Sequence, residues 1–193
     1  MNKKYELTDE TKEIGGITLH RIRALMDISR YGVRAGDIGG WIEAESNLSQ
    51  DGNAWVSGNA WVSGDARVYG DARVYGDAWV YGDARVYGDA LVSGNAWVCG
   101  DARVNGNAEV SGNAEVKSIR DYAVFKNGWS SGRWFTYTRS NRMWRVGCFH
   151  GTGEELIAKA YKDSELSGKC YEAIVRAQEA IDRAIDEKEG DTK

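Results

Sequence analysis

From Gly52 to Lys117 the chain repeats one six-residue phrase, G-[DN]-A-x-V-x, eleven times without an insertion. Each alanine falls six residues after the last, from Ala54 to Ala114, and each valine two residues behind its alanine, from Val56 to Val116. Side chains two apart share one face of an extended strand. Every A-x-V therefore sends Ala and Val to one side and the residue between them to the other. The G-[DN] pair that follows supplies the positive φ that a corner needs. Strands this short cannot build a sandwich, but they can coil, each pairing with the strand one full turn later at roughly 4.8 Å along the axis. A period of six excludes the square coil of pentapeptide repeats.

Read from its valine, V-Y-G-D-A-R resembles the hexapeptide repeat of left-handed β-helix proteins, in which an aliphatic residue leads and a small one follows four later. The resemblance implies a triangular coil with three repeats to the turn. Eleven repeats then give somewhat under four turns, roughly 18 Å of axis, open at both ends and in need of caps. With KYELTDE, RIRALMDI and GDIGGWIEAESNLSQDGNAWV the chain is similar, over nearly its whole length, to bacterial and prophage hexapeptide-repeat proteins labelled transferases or polymer-forming proteins. The likeness bears on architecture; labels inherited from a repeat say little about activity.

Outward positions sort into three faces when every third repeat is read together, provided the coil is unbroken. One is mixed, with Trp55, Arg73, Leu91 and Glu109. A second stacks Trp61, Trp79 and Trp97 above Glu115. The third stacks Arg67, Arg85 and Arg103, with Tyr69 and Tyr87 beside them, and is a second candidate surface for binding. Structural readings compete, since stacked aromatics stabilise sheets and the corner acids Asp65, Asp83 and Asp101 can neutralise arginines. Three tryptophans on a flat exposed face would nevertheless form a larger apolar patch than monomers usually tolerate. The tryptophan ladder thus points to the interface of a homo-oligomer, a trimer as in many proteins of the resembled group.

Before the repeats, Tyr5 to Leu7 and Ile17 to Leu25 read as strands, the second from the alternation in ITLHRIRAL. Ile42 and Leu48 already show the repeat's spacing, with two extra residues before Val56, so the coil is expected to begin early and imperfectly. After Val116 the charge changes sign: residues 1–50 sum to −1, 51–117 to −4, 118–150 to +5 and 151–193 to −4. The basic stretch sets Arg120, Lys126, Arg133, Arg139, Arg142 and Arg145 against Asp121 alone, interleaved with Trp129, Trp134, Tyr137 and Trp144. RWFTYT and MWRVGCF predict a hairpin around TRSNR. Arg133, Phe135 and Tyr137 would lie on one side and Trp134, Thr136 and Thr138 on the other, with one side packed. Thr152 predicts the cap of a helix beginning near Glu154, and helical spacing of apolar residues from Tyr171 to Ile185 predicts an amphipathic helix from about Gly168 to Glu187.

The expected fold is therefore mainly β. A short left-handed parallel β-helix (51–117) lies between an N-terminal β cap (1–50) and a C-terminal domain of β-hairpin plus α-helices (118–193). Charged residues at 28% and apolar residues at 42% of the 193 exclude both a disordered polyampholyte and a membrane protein. No apolar run approaches the roughly 20 residues that cross a bilayer, and MNKKYELTDETKE lacks a signal peptide's apolar stretch. A cytoplasmic protein is expected, in the host cytoplasm if a phage encodes it. Cys99, Cys148 and Cys170 form no CxxC and cannot all pair, so reduced thiols are expected. No metal-ligand cluster or Walker loop is present, and no cofactor is expected.

A phosphorylated ligand needs charge neutralisation, a π platform and oriented N–H donors. Arg133, Trp134, Tyr137, Arg139, Arg142, Trp144, Arg145, His150 and Thr152 are the candidates to supply them. Against this, Glu154 and Glu155 can satisfy the helix dipole, and a basic aromatic hairpin can simply pack on an acidic helix. The resemblance also implies an acyltransferase with a histidine base near the coils, but His20 and His150 both lie outside the repeats. Cys148 followed by His150 suggests a nucleophile without any oxyanion-hole motif. The preferred expectation is a non-catalytic binding protein, phage- or prophage-associated by resemblance. It would sequester a phosphorylated small molecule such as a nucleotide immune signal, or block a host defence protein. An acyltransferase and a self-assembling structural solenoid are the alternatives. Nucleic acid is disfavoured by the net charge of −4 and the short basic stretch.

Overall fold

The structure, a computed structural model, describes residues 3–190. Eleven two-residue strands, β4 to β14, fall at Trp55–Val56, Trp61–Val62, Arg67–Val68, Arg73–Val74, Trp79–Val80, Arg85–Val86, Leu91–Val92, Trp97–Val98, Arg103–Val104, Glu109–Val110 and Glu115–Val116. Each strand pairs with the third one after it, as in Trp61 with Trp79, Arg67 with Arg85 and Leu91 with Glu109, so one turn takes three repeats. The strands line up in three parallel columns, β5-β8-β11-β14, β4-β7-β10-β13 and β6-β9-β12. The repeat's alanines and valines fill the bore and are at most 1% exposed. Each buried valine contributes about 1.5–3 kcal/mol, and together they form one continuous core.

A parallel coil is polar along its axis. Each strand's N–H groups donate to the next turn, as Arg67 N does to Ala84 O at 2.9 Å. The first turn is therefore left with unpaired carbonyls and the last with unpaired N–H groups, and both need partners. The flanking segments supply opposite chemistry. At the start, β1 (Tyr5–Ile14) and β2 (Ile17–Ala24) form an antiparallel hairpin, and β2 pairs with β3 (Ile38–Ile42), which itself runs parallel to β5. Lys4 Nζ donates to Ala54 O at 2.9 Å, and Asn47 Nδ2 donates to Gly64 O and Ala66 O at 2.8 and 2.9 Å. At the far end, Glu109 N and Glu115 N donate to Thr136 Oγ1 and Ser140 Oγ at 2.8 and 2.7 Å. Lys117 N and Ser118 N both donate to Asp121 Oδ2 at 2.7 Å. Trp41 faces Trp61 and Leu48 faces Val68, each pair separated in sequence by slightly more than three repeats. The coil thus begins a turn early and out of step with the repeat, as the spacing of Ile42 and Leu48 implies.

Beyond Val116 the expected hairpin is present as β16 (Trp134–Thr138) and β17 (Met143–Val146), at the centre of a four-stranded antiparallel sheet completed by β15 (Tyr122–Lys126) and β18 (Phe149–Gly151). Tyr122–Lys126 adds an edge strand, and Gly147, at φ +56°, breaks MWRVGCF into two strands. Both sides of β16 pack, not one. Phe135 and Tyr137 join Trp144, Leu156, Tyr171 and Val175 in a core beneath α1 (Gly153–Asp163) and α2 (Glu165–Gly190), while Thr136 meets the last turn of the coil. Thr152 caps α1 as its sequence requires, and α2 begins at Glu165, ahead of Gly168. No helix among the described residues is long and apolar enough to cross a membrane.

Candidate functional site

The basic and aromatic residues nominated by sequence share one small domain but not one pocket. Tyr137 and Trp144 are buried, their rings 4.9 Å apart in the core. The Tyr137 hydroxyl donates to Asp182, and burial reinforced by that carboxylate drives its pKa well above the ordinary tyrosine value. Arg139 and Arg142 both reach Asp186, at 2.5 and 3.4 Å, and Arg145 reaches Glu109 at 3.3 Å. Arg133 and Trp134 stand apart and exposed, lining a groove of about 380 Å³ together with Arg30, Tyr31, Asp89, Leu91 and Glu109. His150 lays its ring against Gly112, where a Cβ would meet Cε1 at 2.8 Å. Thr152 closes a capping box: Glu155 N donates to Thr152 Oγ1 at 3.3 Å and Thr152 N to Glu155 Oε2 at 2.8 Å. The helix start thus carries its own anion, whose pKa those donors hold below the usual carboxylate value. Beneath α2, a cavity of about 250 Å³ sets Arg142 and Arg183 against Glu179, Asp182 and Asp186, an excess of acid that repels anions. His20 pairs with Ile42 at the start of the coil and His150 sits at its last turn, so the two histidines lie at opposite ends.

The tryptophan column is longer than the repeat implies and less exposed. β3 adds Trp41 above Trp61, and the β1–β2 hairpin lays Leu19 over both. Lys12 Nζ and the Arg21 guanidinium sit over the Trp41 ring at 4.4 and 4.8 Å. The expected flat face of three open rings is thereby corrected: Trp61 is buried, Trp79 half-buried, and only Trp97, at 39%, is exposed. Trp79 and Trp97 stack at 4.9 Å with 5° between planes. On the mixed face Trp55 is also buried, because Gly39 permits a close approach; a Cβ there would lie 2.7 Å from the Trp55 ring.

The arginine column is the open one. Arg67, Arg85 and Arg103 stack in register and are exposed. Among the described residues no carboxylate lies at ion-pair distance from any of the three; Asp65, Asp83 and Asp101 occupy the preceding corner without closing on them. Beside the arginines Tyr69 and Tyr87 stack at 4.9 Å with 2° between planes, and Asn105 Nδ2 continues that column by donating to the Tyr87 hydroxyl at 2.8 Å. Among the described residues neither flanking unit adds a full strand to β6-β9-β12; only the single parallel bridge of Leu48 with Val68 extends it. At its upper end Ser46, Ser49 and Gln50 enclose, with Arg67, Tyr69 and Arg85, a groove of about 490 Å³. These three rim residues escape notice in the sequence; the signal that marks them is the short insertion after Leu48, which moves the first turn out of step with the repeat.

Residues 66–82 and 84–100 match a family model described as the YdcK beta solenoid repeat. No curated protein matches the chain. The matched segments start one turn of the coil apart, so Arg67 and Tyr69 of the first stand in register with Arg85 and Tyr87 of the second, and the first also carries Arg73 and Tyr75. The repeat region is thus similar to a β-solenoid repeat, a likeness of architecture.

Proposed function

We propose that the protein is a non-catalytic binding scaffold that captures a phosphorylated small molecule on the arginine column. One contrast carries this reading. Arg139, Arg142 and Arg145 are held by Asp186 and Glu109, whereas Arg67, Arg85 and Arg103 stack in register with no carboxylate among the described residues paired to them. Arginine's planar donors match phosphate oxygens, and a coil that fixes their spacing lowers the ordering cost of binding. The acids Asp65, Asp83 and Asp101 at the neighbouring corner oppose a long polyanion and favour a short one held over the arginines. Sequestration in place of turnover is supported by the placement of His20 and His150 at the two ends of the coil. The sequence resemblance alone suggests a phage or prophage setting, and in that setting the proposed target is a nucleotide immune signal or a host defence protein. Copies associate through the uncovered end of the tryptophan column at Trp97, the edge a side-by-side structural assembly would also use.

Calorimetric titration with sodium tripolyphosphate at low salt tests the ladder. Wild-type protein is expected to bind, Arg85→Glu to weaken binding at least about tenfold, and Arg142→Glu, whose arginine already sits on Asp186, to leave it intact. Binding lost at Arg142 and kept at Arg85 would return the site to the C-terminal sheet. No binding by the wild type ends the reading.

A further inference from the structure

The tyrosine column beside the arginines stops one rung short. Tyr87 and Tyr69 stack at 4.9 Å, and below Tyr87 the column is closed by Asn105. Above Tyr69 the register pairs Leu48 with Val68, which places Ser49 on the rung where a further ring would stand. Ser49 N keeps the ladder's backbone bond, donating to Val68 O at 2.9 Å, so the backbone of that rung is present and only the ring is missing. Asn47, on the arginine side of the same rung, is fully buried and spends its amide on Gly64 O and Ala66 O. Neither column is continued upward, and the vacated space is the groove of about 490 Å³ between Ser49 and the Arg67, Tyr69 and Arg85 side chains. The carboxylate on its rim, Glu45, is paired with Lys3 at 2.7 Å.

A ligand suited to that space needs a flat ring for the empty rung and anionic groups that reach down a column of guanidinium groups. We infer that the groove takes a free nucleoside polyphosphate, its base stacked on Tyr69 in the place of a third ring and its phosphates laid over Arg67 and Arg85 toward Arg103. This inference rests on the anion-binding reading of the ladder and adds the ring to it. The stack costs little to form, because Tyr69 is already held parallel to Tyr87 and the ladder hydrogen bonds hold both. A long single strand is disfavoured, since Asp65, Asp83 and Asp101 flank the arginines along the whole face.

The test compares ATP with sodium tripolyphosphate by calorimetry on the full chain, because the two share a phosphate run and differ in the base. ATP is expected to bind about tenfold tighter, within the range that stacking on an aromatic ring gives. Tyr69→Ala should remove that advantage and leave tripolyphosphate binding as it was. Ser49→Phe fills the empty rung with the chain's own ring and should do the same without lowering the thermal midpoint, which separates loss of the site from loss of the fold. AMP should bind more weakly than ADP, and ADP more weakly than ATP, as fewer arginines are reached. Equal binding of ATP and tripolyphosphate, both lost in Arg85→Glu, overturns the ring site and leaves the ladder standing. Binding of neither overturns both. A single-stranded oligonucleotide that outcompetes ATP phosphate for phosphate would also overturn it.

Discussion

Lys4 plugs the open start of the coil, 2% exposed, with its ammonium turned on backbone carbonyls of residues 51, 52 and 54. Burial lowers its pKa to about 8, outweighing the attraction of Asp51 and Asp71. The folded chain therefore holds this proton less tightly than the unfolded chain, whose lysine keeps its ordinary value of 10.5. From about pH 8 to 10.5 the unfolded state binds the extra proton, and stability from this group rises with pH. Urea denaturation of wild type and Lys4→Met across that window should show the wild type gaining on the variant, with a constant difference between pH 6 and 7. A difference that stays flat above pH 8 would mean that Lys4 is solvated and the cap is held by other groups.

At the scale of the element, the coil's turn rests on glycine for two separable reasons. Gly70 combines φ +68° with a close rung, a Cβ there meeting Gly88 N at 3.1 Å. Gly106, at φ +60°, has no atom within 4 Å of such a Cβ. The left-handed backbone alone costs an L-residue about 1–2 kcal/mol, so Gly106→Ala is expected to lose about that much. Gly70→Ala should lose more, because two stacked backbones must also separate. Thermal or urea unfolding of both variants measures the difference; equal losses would show that stacked corners have slack. The outer position varies among Trp, Arg, Leu and Glu while Ala and Val do not, because only the inward pair must fit the bore at every repeat.

Across the whole molecule, the axis polarity of the coil assigns each appendage its chemistry. Donor side chains, Lys4 and Asn47, meet the carbonyl end, and acceptors, Thr136, Ser140 and Asp121, meet the N–H end. With both ends occupied, growth by end-to-end stacking would have to displace them, and association is left to the sides. The uncovered part of the tryptophan column is the apolar choice, with Trp97 39% exposed against Trp79. Native mass spectrometry is expected to show a multimer for the wild type and a monomer for Trp97→Lys with an unchanged circular dichroism spectrum. A wild-type monomer would remove the interface.

The coil was legible in the sequence because its information is local and periodic. Six-residue spacing sets inside, outside and corner at every repeat, and stacking needs only that the period persist. The arginine and tyrosine columns follow from the same period, and Arg67, Arg85, Arg103, Tyr69 and Tyr87 stand where it puts them. Outside the repeat the sequence determined types of residue but not their partners. That Arg139 and Arg142 meet Asp186, that Tyr137 donates to Asp182, and that Leu19 covers Trp41 and Trp61 are pairings between segments far apart in the chain, which no local pattern encodes. Only the tertiary structure decided which basic cluster is spent on packing and which stays open. A charge's use depends on what folds against it, and here the helix α2 folds against one set of arginines and leaves the other to solvent.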